Sequence, residues 1–303
     1  MAERARSVAI TGALGNLGWK LLCHLAEHSA STRLVGLDNR KAGPAQEDEL
    51  RRLAGEREVD IDLVECDLVD WQDRRWRDIV DETEAVVHFA YRSPFPNDTW
   101  DDANLSFDMT LNAAQAAADS PTADRFVFAT SNHVMGRYKD MPLAEGLGPA
   151  ELRAELMPGV GTRWFTGSED ADASVYATHK WAGERLCRAL AQRAEGQTTF
   201  ACVRIGWCQS GENLPATLSG TGSHFHAQSA SAASETDRWF KEMWLSNRDF
   251  CHLFQRATEA DGNTWPDGSI LVHGMSNNAN MKWNIDATRG YLGYQPQDNV
   301  YAC

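Results

Sequence analysis

A tyrosine and a lysine four residues apart are the side chains of this sequence best suited to proton transfer. Tyr176 and Lys180 occur in the stretch SVYATHKWAGE, residues 174–184, whose pattern is typical of a helix. A helix places residues i and i+4 on one face. A phenol has a pKa of about 10, and a nearby ammonium favours its ionised form. The spacing alone fits both a polar pair on a helix surface and the acid–base centre of an enzyme.

A glycine-rich turn near the N-terminus predicts a nucleotide site. Residues 12–18 read GALGNLG between an apolar run at 7–11 and an amphipathic run from residue 19. Glycines between a strand and a helix let a pyrophosphate approach the backbone, and the helix N-terminus supplies amide donors. Asp38 ends the next apolar run, about twenty residues on, where an acid accepts hydrogen bonds from an adenosine ribose. We predict NAD rather than NADP, although Arg40 is close enough to weaken that preference.

Apolar segments separated by helical ones predict a parallel sheet covered on both faces. Two segments resemble insertions: residues 139–172 lack a sustained period, and residues 209–236 are rich in Ser, Ala, Gly and Thr. We interpret the second as a surface loop, with a lid over a substrate as the alternative. The predicted strands span residues 7–11, 33–38, 61–68, 85–91, 124–131 and 198–206, and predicted helices include 100–118 and a segment from about 174 to 195.

A polar run follows the fifth predicted strand. Ser131 stands where that strand ends, followed by Asn132 and His133. Ligands of open α/β sheets bind at the carboxyl ends of the strands. Taken alone, this run also fits the polar start of a loop with a structural histidine.

Composition and charge exclude several classes of protein. With 303 residues, 43% of them hydrophobic, the chain can form a sizeable core. A net charge of −14 with no basic run argues against nucleic-acid or anionic-membrane partners, and an anionic substrate would need a local cluster of positive charge. The seven scattered cysteines indicate neither a disulfide framework nor a zinc site. No long apolar stretch is present, and we expect a cytoplasmic protein.

Together these motifs resemble the short-chain dehydrogenase/reductase superfamily, in the extended branch that contains sugar-nucleotide epimerases and dehydratases. The resemblance covers most of residues 7–206. It implies an α/β fold with a Rossmann-type doubly wound parallel sheet in residues 1–206, including the insertion at about 139–172, and a smaller substrate-binding part in residues 207–303. It also implies a homodimer or larger homo-oligomer, formed through the helices around 100–118 and 173–195. The residues that match the catalytic ones of this superfamily are Ser131, Tyr176 and Lys180.

A closer resemblance is to the uronate dehydrogenases, which oxidise C1 of a hexuronate with NAD to an aldonolactone. It is carried by SNHVMG, by VRIG with a cysteine two residues on, and by GYLGYQPQDN near the C-terminus. The resemblance implies that Ser131, Asn132 and His133 contact the sugar. The residues it assigns to the cofactor are Gly12, Gly15, Asn16, Leu17, Gly18, Asp38, Asp67, Leu68, Phe89, Ala90, Tyr176 and Lys180.

The sequence departs from this family where the far end of the sugar would lie. Trp207 replaces a serine that helps to hold the uronate carboxylate, and Arg238 is the best match to the family's carboxylate-binding arginine. We therefore expect a hexose with an anionic C6 group, whether a uronate, a 6-phosphate or a 6-sulfonate such as sulfoquinovose. His224, His226 and Arg238 are the predicted anion donors. No third ligand accompanies the two histidines, so no metal is predicted.

Two other functions fit the same motifs. One is a nucleotide-sugar epimerase or dehydratase that keeps NAD bound, although only about a hundred residues follow the sixth strand, which favours a small free sugar. The other is a non-catalytic NAD-binding regulator, which the presence of Ser131, Tyr176 and Lys180 disfavours. Release of NADH into solution separates the dehydrogenase from both.

Overall fold

The computed structural model describes residues 6–57, 59–92, 98–220 and 234–302. Its central feature is a parallel sheet of seven strands. The strands are β1 (Ser7–Thr11), β2 (Arg33–Asp38), β3 (Asp60–Glu65), β4 (Ala85–His88), β5 (Arg125–Ser131), β8 (Thr199–Ile205) and β9 (Ser269–Gly274), with β6 (Arg163–Phe165) and β7 (Asp170–Asp172) forming a separate antiparallel hairpin. The order across the sheet is β3-β2-β1-β4-β5-β8-β9.

Helices cover both faces of the sheet. They are α1 (Asn16–His28), α2 (Pro44–Arg57), α3 (Arg74–Glu82), α4 (Trp100–Asp119), α5 (Ser174–Arg193), α6 (Glu235–Glu242), α7 (Asn247–Glu259) and α8 (Asp286–Leu292). One core cluster joins the sheet to α1, α2 and α7, and a second joins it to α3, α4 and α5. The predicted doubly wound parallel α/β fold is therefore confirmed.

Two strands end earlier than their apolar runs predicted. β3 ends at Glu65 instead of residue 68, because Asp67 turns the chain by accepting a hydrogen bond from the Val69 amide at 2.9 Å. β4 ends at His88 instead of residue 91, and the Ala90 amide then donates to the side-chain Oγ1 of Thr11 at 3.2 Å. Both strands thus end early at the carboxyl edge of the sheet, and the residues that follow them line cavities.

The C-terminal part of the chain contributes to the central sheet. β9 was not predicted, and it pairs in parallel with β8 from Phe200 to Ile205. Phe250, Leu253 and Phe254 of α7 lie fully buried in the core cluster that also contains α1. The predicted substrate-binding part, residues 207–303, thus shares its core with the nucleotide-binding part.

A third cluster of buried side chains lies beyond the carboxyl ends of β5 and β8. Met135 follows β5, Met243 follows α6, and Met275 follows β9, and all three are buried together with Trp239 and Trp283. This cluster packs α6 and residues 139–172 over the edge of the sheet. No helix in the described ranges is long and apolar enough to cross a membrane.

Candidate active site

Two cavities lie at the carboxyl edge of the sheet and share Tyr91 as a common wall. The first, the nucleotide cavity, has a volume of about 780 Å³, and the second, the catalytic cavity, about 700 Å³. Both are within the usual size range of ligand sites. Of the predicted residues, Gly12, Gly15, Asp38, Asp67, Leu68, Phe89 and Ala90 line the nucleotide cavity. Asn16, Leu17, Ser131, Asn132, His133, Tyr176 and Trp207 line the catalytic cavity.

The glycine turn has the close packing that a dinucleotide site needs. Gly12 has φ +67°, and a Cβ there would lie 2.9 Å from the amide nitrogen of Ala90. A Cβ on Gly18 would lie 2.2 Å from the carbonyl oxygen of Gly12, so larger residues would force β1 and α1 apart. Gly15 is the N-cap of α1 and has no side chain to cap it. The amides of the first turn of α1 are therefore suited to a pyrophosphate.

Asp38 places a buried carboxylate at the end of β2. Its Oδ2 accepts a hydrogen bond from the Leu14 amide at 2.9 Å, and its Oδ1 accepts one from Arg40 Nε at 3.0 Å. A carboxylate has further acceptor sites, which suit the hydroxyls of a ribose. Together with the glycine turn, Asp38 fits the predicted NAD, and it also holds the guanidinium of Arg40 beside the nucleotide cavity.

Tyr176 and Ser131 form a hydrogen-bonded pair in the catalytic cavity. Ser131 ends β5, and its Oγ accepts a hydrogen bond from the His133 amide at 3.1 Å, which fixes the hydroxyl at the strand end. Tyr176 lies in the first turn of α5. Burial raises the pKa of Tyr176 to about 12, and the hydrogen bond with Ser131 opposes this. The sequence analysis expected a nearby ammonium to favour the ionised phenol, but among the protein's own groups the loss of hydration has the larger effect on the pKa of Tyr176.

Lys180 is buried behind this pair. Its Nζ donates to the carbonyl oxygen of Ala129 at 2.9 Å and lies 4.8 Å from the ring centre of Phe128 and 5.9 Å from that of Tyr176. Burial lowers the pKa of Lys180 to about 7, while Asp98 and Glu184 raise it. Lys180 lines neither cavity, so the structure does not bring it into the predicted contact with the cofactor.

Asp98 is a residue that the sequence analysis missed. Its carboxylate is buried, and neither oxygen has a hydrogen-bond partner within the described part of the chain. Burial raises the pKa of Asp98 to about 6, and Lys180 opposes this shift. Asp98 also raises the pKa of Tyr176. In the sequence Asp98 is a single acid before a predicted helix, and nothing in that pattern indicates that it lies near Tyr176 and Lys180.

Asn132 and His133 are buried polar side chains in the catalytic cavity. Asn132 Nδ2 donates to the Ile205 carbonyl oxygen at 3.1 Å, while its Oδ1 has no hydrogen-bond partner in the described structure. His133 Nδ1 pairs with Thr162 Oγ1 at 2.7 Å, and burial lowers the pKa of His133 to about 4. His133 is therefore a neutral imidazole near pH 7.

Three aromatic side chains form one wall of the catalytic cavity. The rings of Trp164 and Trp207 lie 5.2 Å and 5.3 Å from the ring of Phe240, each in an edge-on arrangement. The sequence singled out Trp207 but missed Trp164 and Phe240, which come from β6 and α6. Tyr91 was missed as well, although its position just beyond an apolar strand was a usable signal.

Arg238, predicted to hold an anion on the substrate, lines a different cavity of about 320 Å³ with Lys139, Glu242 and Lys282. Helix α6 separates the two spaces, because Phe240 faces the catalytic cavity and Arg238 faces away from it. The structure thus does not bring Arg238 together with Ser131, and the other predicted anion donors, His224 and His226, lie outside the described residues.

Known proteins resemble the chain across most of its length. The NAD-dependent glucose-6-phosphate dehydrogenase of Haloferax volcanii is 29% identical over 96% of this chain and 93% of its own. The L-arabinose 1-dehydrogenase (NAD(P)(+)) of the same organism is 28% identical over 71% of this chain and 75% of its own. The solved structure of a mutated uronate dehydrogenase superposes with a TM-score of 0.65 at 24% identity, over 97% of this chain and 83% of that one, which shows a shared fold.

The model of one protein family matches residues 8–252, from β1 into α7. That span contains the glycine turn, Asp38, Ser131, Tyr176 and Lys180. The chain therefore belongs to the NAD dependent epimerase/dehydratase family, and its cofactor is NAD.

Proposed function

We propose that this protein oxidises the C1 hydroxyl of an aldose with NAD to give the aldonolactone. The observation that carries the proposal is the hydrogen-bonded pair of Ser131 and Tyr176 in a cavity that shares Tyr91 with the nucleotide cavity. In the proposed reaction Tyr176 is the proton acceptor and Ser131 is the hydroxyl donor, and the neighbouring nucleotide cavity would hold the cofactor. The Haloferax volcanii relatives named as sugar dehydrogenases support the same reaction class.

Tyr176 is the general base of the proposed reaction. Its phenolate takes the proton of the C1 hydroxyl, and Ser131 donates a hydrogen bond to the same sugar oxygen as charge develops there. When bound, NAD supplies the hydride acceptor and the positive charge of its nicotinamide ring. The ammonium of Lys180 lies 5.9 Å from the ring centre of Tyr176, and its hydrogen bond to the Ala129 carbonyl oxygen keeps it there. Its charge favours the phenolate.

The substituent at C6 is a separate question from the reaction at C1. The sequence predicted an anionic group such as a carboxylate, phosphate or sulfonate, held by Arg238, His224 and His226. Because Arg238 lines the cavity on the other side of α6, that prediction now depends on the two histidines alone. The reaction at C1 needs none of these three residues.

The test is NADH formation, followed by absorbance, with NAD and a panel of aldoses. We expect NADH in solution and a lactone that hydrolyses to the aldonic acid. NAD that stays bound while a nucleotide sugar is epimerised would instead support the epimerase alternative. Tight NAD binding without turnover of any sugar would support the regulator.

A further inference from the structure

The described lining of the catalytic cavity contains no formal charge. None of the described residues that line it is Lys, Arg, Asp or Glu. The histidine among them, His133, is neutral near pH 7, since burial lowers its pKa to about 4. The sequences of residues 93–97 and 221–233, which lie outside the described ranges, contain no Lys, Arg, Asp or Glu either. In these two segments, His224 and His226 are the side chains that can carry a positive charge.

Two ammonium groups lie just behind the cavity, and both are engaged. Lys180 Nζ donates to the Ala129 carbonyl oxygen at 2.9 Å. Lys20 Nζ donates to the Gln209 carbonyl oxygen at 2.6 Å and lies 3.8 Å from the Sγ of Cys208, which lines the cavity, whereas Lys20 does not. Removing a phosphate or carboxylate from water without a paired cation is strongly unfavourable. The net charge of −14 adds long-range repulsion.

The unpaired side-chain oxygen of Asn132, Oδ1, favours a hydrogen-bond donor over an anionic group at this point of the cavity. The side chain of Asn132 is 3% exposed, and its Nδ2 is already bonded to the Ile205 carbonyl oxygen. Its Oδ1 is the atom left without a partner among the described residues. A sugar hydroxyl at this point can donate to that oxygen, whereas the oxygens of a carboxylate or a fully ionised phosphate placed there only accept hydrogen bonds. Leaving such an acceptor unpaired in the complex would weaken binding.

The aromatic wall offers apolar contact at the same site. Trp164, Trp207 and Phe240 present ring surface to the cavity, and such rings pack against the C–H bonds of a sugar. Trp207 is held on both sides by its backbone, with its amide donating to the Met243 carbonyl oxygen at 2.8 Å and its carbonyl accepting from Leu245 at 3.0 Å. Its indole thus projects from a fixed backbone into the catalytic cavity.

We propose, on the basis of the aldose oxidation set out above, that the substrate is an uncharged aldose, held by Asn132 and by the wall of Trp164, Trp207 and Phe240 rather than by charge pairing. The absence of formal charge in the described lining, the unpaired acceptor and the aromatic surface carry this inference together. It replaces the anionic C6 group that the sequence predicted.

The first experiment compares matched sugars on the full-length protein. Glucose, galactose, xylose and arabinose are measured against glucose 6-phosphate, glucuronate and sulfoquinovose, both for NADH formation with NAD and for calorimetric binding to the NADH-loaded protein. We expect the best uncharged aldose to exceed every anionic sugar by about tenfold or more in kcat/KM and in affinity, which corresponds to about 1.4 kcal/mol. Higher kcat/KM or affinity for an anionic sugar would overturn the inference while leaving C1 oxidation intact.

The two readouts separate this inference from the proposed function. If uncharged aldoses bind but no NADH forms, the proposed C1 oxidation is wrong, and the inference that the ligand is an uncharged aldose still holds. If no uncharged aldose of the panel binds, the inference is wrong whether or not another sugar is oxidised.

A pair of variants tests the aromatic wall. We expect Trp207→Ala to raise the KM and the dissociation constant of the uncharged aldose by about tenfold and to change kcat little, since the wall contacts the sugar and not the reacting atoms. Trp100→Ala is the matched control, because Trp100 is 59% exposed at the start of α4 and lines neither cavity. Equal KM values for the two variants would contradict the assigned wall.

Discussion

The carboxylate of Glu184 and the guanidinium of Arg204 form a two-point ion pair inside the protein. Arg204 Nε donates to Oε1 at 2.8 Å and Nη2 to Oε2 at 2.7 Å, with both side chains almost completely buried. Thr130 Oγ1 also donates to Glu184, and Arg204 Nη1 donates to the Ala154 carbonyl oxygen. The pair therefore joins α5, which carries Tyr176, to β5, to β8 and to the long segment between β5 and α5.

Breaking this pair should destabilise the whole fold. Glu184→Gln leaves the buried guanidinium of Arg204 without a counter-charge, and we expect the free energy of unfolding to fall by about 3 kcal/mol. The measurement is chemical denaturation beside Glu169→Gln, an exposed carboxylate in the turn between β6 and β7. A loss below about 1 kcal/mol would mean that the pair contributes no more than a surface ion pair.

Removing the hydroxyl of Tyr176 should abolish turnover without abolishing cofactor binding. We expect Tyr176→Phe to lower kcat by at least about 100-fold, the range of general base catalysis, while NAD affinity stays unchanged. Tyr138→Phe is the control, because Tyr138 donates to the Met157 carbonyl oxygen at 2.9 Å and lines the cavity of Arg238. Substantial turnover by Tyr176→Phe would remove Tyr176 from the mechanism.

Asp98 should set the pH dependence of the reaction. Its negative charge raises the pKa of both Tyr176 and Lys180. Asp102 in turn raises the pKa of Asp98, and Glu184 raises that of Lys180. Asp98→Asn removes that charge, so the acidic limb of the kcat/KM profile should move to lower pH. Asp101→Asn, on the exposed first turn of α4, should leave the profile in place. An unchanged profile for Asp98→Asn would contradict the coupling.

The same substitution should stabilise the protein near neutral pH. The pKa of Asp98 is raised from 3.8 to about 6, so the folded protein binds more protons than the unfolded chain between these values. Stability therefore falls as pH rises through this window, and the ionised carboxylate is unfavourable above it. We expect Asp98→Asn to increase the free energy of unfolding by about 1 to 2 kcal/mol at neutral pH and much less at about pH 4. Equal effects at both values would contradict this account.

Asp38 should control the choice between NAD and NADP. Its carboxylate repels a 2′-phosphate and also binds Arg40 Nε at 3.0 Å. Asp38→Asn removes the charge and weakens its hold on Arg40, while an oxygen remains for the Leu14 amide. We expect the ratio of kcat/KM for NADP to that for NAD to rise by about tenfold. Asp62→Asn, exposed on β3 away from the cavity, is the control, and an unchanged ratio would contradict the role of Asp38.

Local patterns explain how much of the fold the sequence predicted. The apolar runs identified six of the seven strands of the central sheet, because a buried parallel strand must be apolar on both faces. β9 was missed although SILVHG is an apolar run that follows a Pro-Asp-Gly turn. Its place beside β8 is set by packing against α7, a contact that no short stretch of sequence records.

The sequence by itself determined the features that depend on neighbouring residues. The glycine turn, the acid at the end of β2 and the spacing of Tyr176 and Lys180 follow from backbone geometry over a few residues. The tertiary structure decided which side chains line the catalytic cavity, because Trp164, Trp207 and Phe240 come from separate elements and meet only after folding. The tertiary structure also placed Arg238 on the far face of α6. Burial raises the pKa of Tyr176 and lowers that of Lys180, and the sequence could not show this because a side chain loses its hydration only when distant segments cover it.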